Sequence, residues 1–150
     1  RRKGTKMALN LADRTVVASI SGGKDSAAMS LWLTEQGIDH ERVFCDTGWD
    51  HPDTYEYLRG PLTAVIGPIA EVRAPLGMAD LCRKKGMFPS RTRRFCTEGL
   101  KVFPLQRYIR FRQDAIGEVI NAVGIRAAES RARAHIEDPG QWRRETKETE

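Results

Sequence analysis

Two short polar stretches hold most of the residues that could do chemistry. The first is Ser19-Ile20-Ser21-Gly22-Gly23-Lys24-Asp25-Ser26. Adjacent glycines admit backbone angles closed to other residues and let an anion come close to the main chain. A lysine next to them, serine hydroxyls at Ser21 and Ser26, and the free N–H groups of a following helix all favour negative charge. The chemistry such a stretch suits is phosphate binding, with Gly22, Gly23, Lys24 and Asp25 at its centre. It is not a Walker loop, because Ala18 stands where that motif needs its first glycine.

The second stretch is Asp46-Thr47-Gly48-Trp49-Asp50-His51-Pro52-Asp53-Thr54. Its three carboxylates could hold a magnesium ion (through Asp46), hydrogen-bond a ribose, or cap the helix that follows. A third region, Arg83 to Arg94, has six basic residues (Arg83, Lys84, Lys85, Arg91, Arg93 and Arg94) and no acid. It suits a lid over a charged ligand, a nucleic-acid contact, or a solvated loop.

The three cysteines are odd in number and far apart, and no Cys-x-x-Cys pair is present. A zinc site or a four-cysteine iron–sulfur cluster therefore cannot be built from this chain alone. Cys45 and Cys82 read as small buried hydrophobes. Cys96, among basic neighbours, reads either that way or as a reactive thiolate and candidate catalytic group. His40, His51 and His135 are too far apart to suggest a metal site or a base.

The elements that must position these groups follow from patterning. A β-branched run predicts a strand over about Thr15 to Ile20, the glycine turn, and a helix over about Asp25 to Gln36. Arg42 to Cys45 predicts a second strand. A helix is expected from His51 to about Leu62, capped by Asp53 or Thr54, and a third strand over Ile69 to Val72. Met78 to Lys85 reads as a short helix and the basic stretch as irregular. Thr97 opens another helix, with Pro104 as a kink or a first-turn residue. Ile116 to Val123 reads as the fourth strand. Strands alternating with helices predict a parallel sheet covered on both faces. In such sheets ligands sit beyond the carboxyl ends of the strands.

Composition sets outer limits. The 150 residues suit one domain, expected over 13–138, between a basic tail (1–12) and a polar tail (139–150). Met7 reads as a candidate natural start. The net charge of +5 suits anionic ligands. No apolar run reaches the ~20 residues of a membrane span, and no signal-like segment opens the chain. A reduced, cytoplasmic setting without a membrane is the expectation. A homo-oligomer is compatible with the sequence.

The octet at Ser19–Ser26 resembles the SGGKDS loop of the PP-loop ATP pyrophosphatases and sulfonucleotide reductases. The Asp46 stretch resembles their DTG-x-E-h-P-e-T-y segment, with Asp50 in place of the usual glutamate. Arg94 to Pro104 is similar to an R-x-C-x-x-x-L-K-x-x-P segment of the phosphoadenosine phosphosulfate (PAPS) reductase family. Gly124 to Arg133 is similar to its G-[IVF]-R-x-x-E-S-x-x-R motif. The resemblance covers about Val16 to Arg133. It implies a three-layer α/β/α fold of the adenine nucleotide alpha hydrolase kind with a mostly parallel sheet. It also implies an adenine nucleotide, ATP or PAPS, bound at Ser21 to Ser26 and at Asp46, Thr47 and Gly48. Lys101 would direct a cation at the nucleotide, and Arg126, Arg131 and Arg133 would hold its phosphates or phosphosulfate, with Glu129 orienting one of them.

The implied chemistry is ATP α–β cleavage with Mg2+, transferring adenylate and releasing pyrophosphate, or sulfonucleotide reduction with a thioredoxin-like partner. The redox cysteine that the reductases carry in a C-terminal tail has no counterpart after Arg133; the chain is either a fragment or no longer performs that reduction. A rival reading is a nucleotide- or nucleic-acid-binding module without turnover, part of a DNA-modification or defence assembly.

Overall fold

A computed structural model describes residues 14–126. Described residues up to Gly124 form one compact unit, and Ile125 and Arg126 belong to a second. The expected tails, and the expected domain end at 138, lie outside the described residues.

Strand β1 (Thr15–Ile20) starts with three β-branched residues and is buried on both faces, with Val16, Val17 and Ala18 fully covered. Such a strand must be central in a sheet with helices on either side. It pairs in parallel with β2 (His40–Asp46) and with β4 (Val119–Val123), and β2 pairs in parallel with β3 (Ile69–Arg73). The order is β3-β2-β1-β4.

The helices follow from that order. From β1 the chain steps outward through α1 (Lys24–Glu35) to β2. It steps outward again through α2 (Pro52–Tyr57), a wide π turn (Leu58–Leu62) and α3 (Thr63–Ile66) to β3. It then returns through α4 (Met78–Lys85), α5 (Phe95–Thr97), a second π turn (Glu98–Val102) and α6 (Phe103–Ile116) to β4 on the far side of β1. Right-handed crossovers place outward and returning helices on opposite faces. Accordingly α1 packs on β1, β2 and α3, whereas Leu105, Tyr108 and Ile109 of α6 pack on a core of Val17, Val43 and Val119. The result is the expected three-layer α/β/α architecture with an all-parallel sheet.

Several boundaries differ from expectation. β2 is longer, from His40 to Asp46. The helix expected from His51 to Leu62 is capped by His51, whose Nδ1 accepts from the Asp53 amide at 3.3 Å, and not by Asp53 or Thr54. It widens at Leu58, because Pro61 lacks an N–H and would clash with an α-helical carbonyl. The helical run expected from Thr97 starts at Phe95, and Pro104 sits in the first turn of α6, directly after a wide turn. Ile116 ends α6 instead of starting β4, because Gly117 (φ 88°) turns the chain out of the helix.

One buried polar group spans two elements. His40 Nδ1–H donates to the Ile38 carbonyl (2.9 Å), which leaves Nε2 to accept from Ser30 Oγ (2.7 Å). Ser30 Oγ in turn accepts from Arg42 Nε at 3.0 Å. Burial holds His40 below its ordinary pKa, against its bond to the Ile38 carbonyl.

Candidate functional site

Because all four strands are parallel, their carboxyl ends share one edge. The direction of winding reverses between β1 and β4, which is where an open α/β sheet leaves a crevice. The glycine turn leaves β1 at that point and Gly124 follows β4 beside it, since Ser19 pairs with Val123.

Serine hydroxyls brace the glycine turn from within. Ser26 is buried; its Oγ donates to the Gly23 carbonyl (2.8 Å) and accepts from the Ser21 amide (3.2 Å). The sequence suggested Ser26 as a ligand donor, but in this geometry it holds the loop. Ser21, Gly23 and Lys24 are exposed. Gly23 caps α1 without a side-chain bond, and the first-turn amides have no intrahelical partner, the arrangement that suits an anion. Among the described residues Lys24 takes part in no ion pair.

Two glycines make the close packing possible. Gly22 has φ 76°, and a side chain there would point at Thr54 and Leu58 (3.5 and 3.6 Å), so the turn lies against α2 and its π turn. At Gly124 an added Cβ would fall 2.6 Å from the Asp25 carbonyl oxygen, so only glycine lets β4 pass the start of α1.

The second turn is organised by Asp46, which is 4% exposed at the end of β2. Oδ1 accepts from the Tyr55 hydroxyl and the Gly48 amide, both at 2.7 Å, and Oδ2 accepts from Arg73 Nε at 2.9 Å and from the other guanidinium arm. Burial works to raise the Asp46 pKa, but these bonds outweigh it and hold the carboxyl below its ordinary value. Thr47 donates to Asp50 (2.8 Å) and accepts from the Trp49 amide (3.2 Å), and its carbonyl accepts from the Met78 amide (2.9 Å). Asp46, Thr47 and Gly48 thus reach the strand edge, as expected, yet their polar groups are engaged in holding the turn. Both Asp46 oxygens are occupied, so a magnesium ion there would have to displace Arg73. Among the described residues no group of three or more His, Cys, Asp or Glu is placed to hold a metal.

Lys101 is exposed on the second π turn, and its carbonyl accepts from the Cys45 thiol at 3.4 Å. Burial pushes the Cys45 thiol up to about 11, only partly offset by the nearby Lys101 charge, so it is protonated at neutral pH. Cys82 is buried and Cys96 half-buried. Arg126 is exposed. Arg131, Arg133 and Glu129 lie outside the described residues.

Arg73, which holds Asp46, was not evident from the sequence as a site residue, while Tyr55 and Gly124 stood in the resembling segments with no role of this kind assigned. The third strand was expected to end at Val72, one residue short of Arg73, and the pairing of β2 with β3 sets Arg73 level with Asp46. A groove of about 520 Å3 along the solvent face of α6 (Phe103, Arg107, Arg110 and Phe111) is formed by that helix alone, and not by the strand ends.

Comparison with known proteins agrees with this geometry. The family profile described as "Phosphoadenosine phosphosulfate reductase domain" matches residues 15–148. An uncharacterized 37.8 kDa protein in the gpa 5′ region of Escherichia phage 186 is 30% identical, covering 83% of this chain and 52% of that protein. An uncharacterized nin region protein of Escherichia phage lambda is 34% identical, covering 75% of this chain and 48% of that protein. The chain spans about half the length of these relatives. Among the described residues no helix is long and apolar enough to cross a membrane.

Proposed function

The chain belongs to the phosphoadenosine phosphosulfate reductase domain family, within the PP-loop superfamily, and from that premise we propose that it is an ATP-using enzyme of the adenylyl-transfer kind. ATP brings its own magnesium as part of the substrate, and its phosphates sit on the amide-lined start of α1 beside Lys24. An acceptor oxygen or nitrogen attacks the α-phosphorus, the α–β bridging bond breaks, and the electron pair leaves with pyrophosphate. Lys24 and the amides at the start of α1 stabilise the charge that develops on the phosphates. The observation that carries this reading is the glycine turn itself: exposed donors and an unpaired lysine at the crevice between β1 and β4. Lys101 supplies a further cation for the nucleotide.

Sulfonucleotide reduction is the second reading, favoured by the family's description. It needs a thiolate to attack sulfur, followed by a thioredoxin-like reductant. Cys45 is held protonated and Cys82 is buried, so Cys96 is the candidate among the described cysteines.

The test is calorimetric titration of Mg–ATP and of PAPS into wild type and Lys24→Ala, with pyrophosphate release measured in parallel. Micromolar ATP binding that weakens at least 100-fold in the variant, with melting unchanged, is expected. Equal affinity in the two proteins would remove the site from the glycine turn, and preference for PAPS would favour the reductase.

A further inference from the structure

The basic stretch is not absorbed by this reading. From Leu81 to Thr97 the chain has no acidic residue, and Arg83, Lys84, Lys85, Arg91, Arg93 and Arg94 are all exposed. Its two legs are α4 and the run that starts at Phe95. They meet where Leu81 comes within 3.2 Å of where a Cβ on Gly99 would be, so residues 86–94 form the tip of a loop whose ends lie close. The tip has a defined shape. Ser90 and Arg93 exchange two backbone hydrogen bonds of 3.2 Å, and Arg93 reaches back to the Met87 sulfur. Phe88, at the centre, is 75% exposed.

A single small ligand would not gather the three cations of α4. Arg83, Lys84 and Lys85 are consecutive on a helix, so they point about 100° apart and splay over more than half its circumference. The first of them is already paired with Asp80. Lys84 also stands about 9 Å along α4 from Met78, the residue bonded to the Asp46–Asp50 turn. Splayed cations beside an exposed aromatic ring instead match a flexible polyanion with accessible bases, with phosphates taken by the cations in succession and a base stacked on the ring. Duplex nucleic acid keeps its bases stacked internally and would leave Phe88 without a partner.

We propose that the tip of the loop between α4 and α5 is a docking surface for single-stranded nucleic acid, with Lys84, Lys85 and Arg91 contacting phosphates and Phe88 stacking on a base. The experiment is fluorescence anisotropy with a labelled 20-nucleotide oligothymidine and its duplex counterpart, between 50 and 200 mM salt. Wild type is expected to prefer the single strand. Lys84→Gln/Lys85→Gln/Arg91→Gln is expected to flatten the salt dependence by roughly 2 in the log–log slope. Phe88→Ala is expected to weaken binding about tenfold or more.

Mg–ATP affinity should be the same in all these proteins, and Lys24→Ala should keep its oligonucleotide binding, which separates this surface from the nucleotide site. Equal binding of duplex and single strand with indifference to Phe88→Ala would overturn the proposal. So would loss of ATP affinity in the triple variant with oligonucleotide binding retained, which would make the tip a lid over the nucleotide.

Discussion

The two turns at the carboxyl edge lie side by side and are built in opposite ways. The glycine turn after β1 is nearly bare: its one buried side chain, Ser26, braces the loop, and Ser21, Gly23 and Lys24 are exposed. The turn after β2 is crowded. Asp46 is buried under Tyr55, Gly48 and Arg73, and Thr47 bonds in three directions. A surface that meets a polyanion must keep donors unsatisfied until the ligand arrives, and that is tolerable only in contact with water. The crowded turn supplies the rigidity the bare one lacks, since α2, which follows it, packs against Gly22.

The largest expected separation between the turns is functional. Lys24→Ala should cost at least 100-fold in nucleotide affinity, about 3 kcal/mol, with no change in melting temperature. Gly124→Ala should do the reverse, destabilising by about 2–3 kcal/mol in a denaturant titration, because a Cβ 2.6 Å from the Asp25 carbonyl forces the elements apart. Asp46→Asn should cost about 2 kcal/mol, as a charged acceptor of several bonds becomes a neutral one; Arg73 is 62% exposed and regains water, which limits the loss. Should Asp46→Asn abolish nucleotide binding at unchanged stability, the division between the two turns collapses.

Ser26→Ala should cost about 1 kcal/mol and only modestly weaken binding, since its hydroxyl donates to the Gly23 carbonyl within the loop. The smallest effect is a pH dependence. His40 titrates below 6.5 when folded, so the unfolded chain takes up its proton first. Its contribution is complete above 6.5 and declines as pH falls through the folded value. His40→Gln should flatten melting temperature against pH in that window, and an unchanged slope would assign the dependence to other groups.

Much of the fold was legible because local and global preferences coincide. Thr15-Val16-Val17 favours a strand and lies in the middle of a sheet, and α4 spans the expected Met78–Lys85. Misplaced boundaries trace to competition between signals. The apolar pattern around Ile116 continues from α6 into β4, and only the backbone sign at Gly117 divides them. The wide turns at Pro61 and Pro104 arise from a steric conflict that propensities do not encode. The glycine turn at Ser21 to Lys24 was legible because such a loop is a contiguous string. The group around Asp46 was not, because Arg73 lies 27 residues away and is brought alongside by strand register.

The close pass of Gly124 over α1 bears on how descendants of such a domain would diverge. Selection acts on that glycine through folding, so a lineage that gave up its ligand would still keep it. Lys24 is exposed and takes part in no ion pair among the described residues, so, without a ligand to hold, it would be released to drift. Of two motif positions at one strand edge, the glycine would then outlast the lysine.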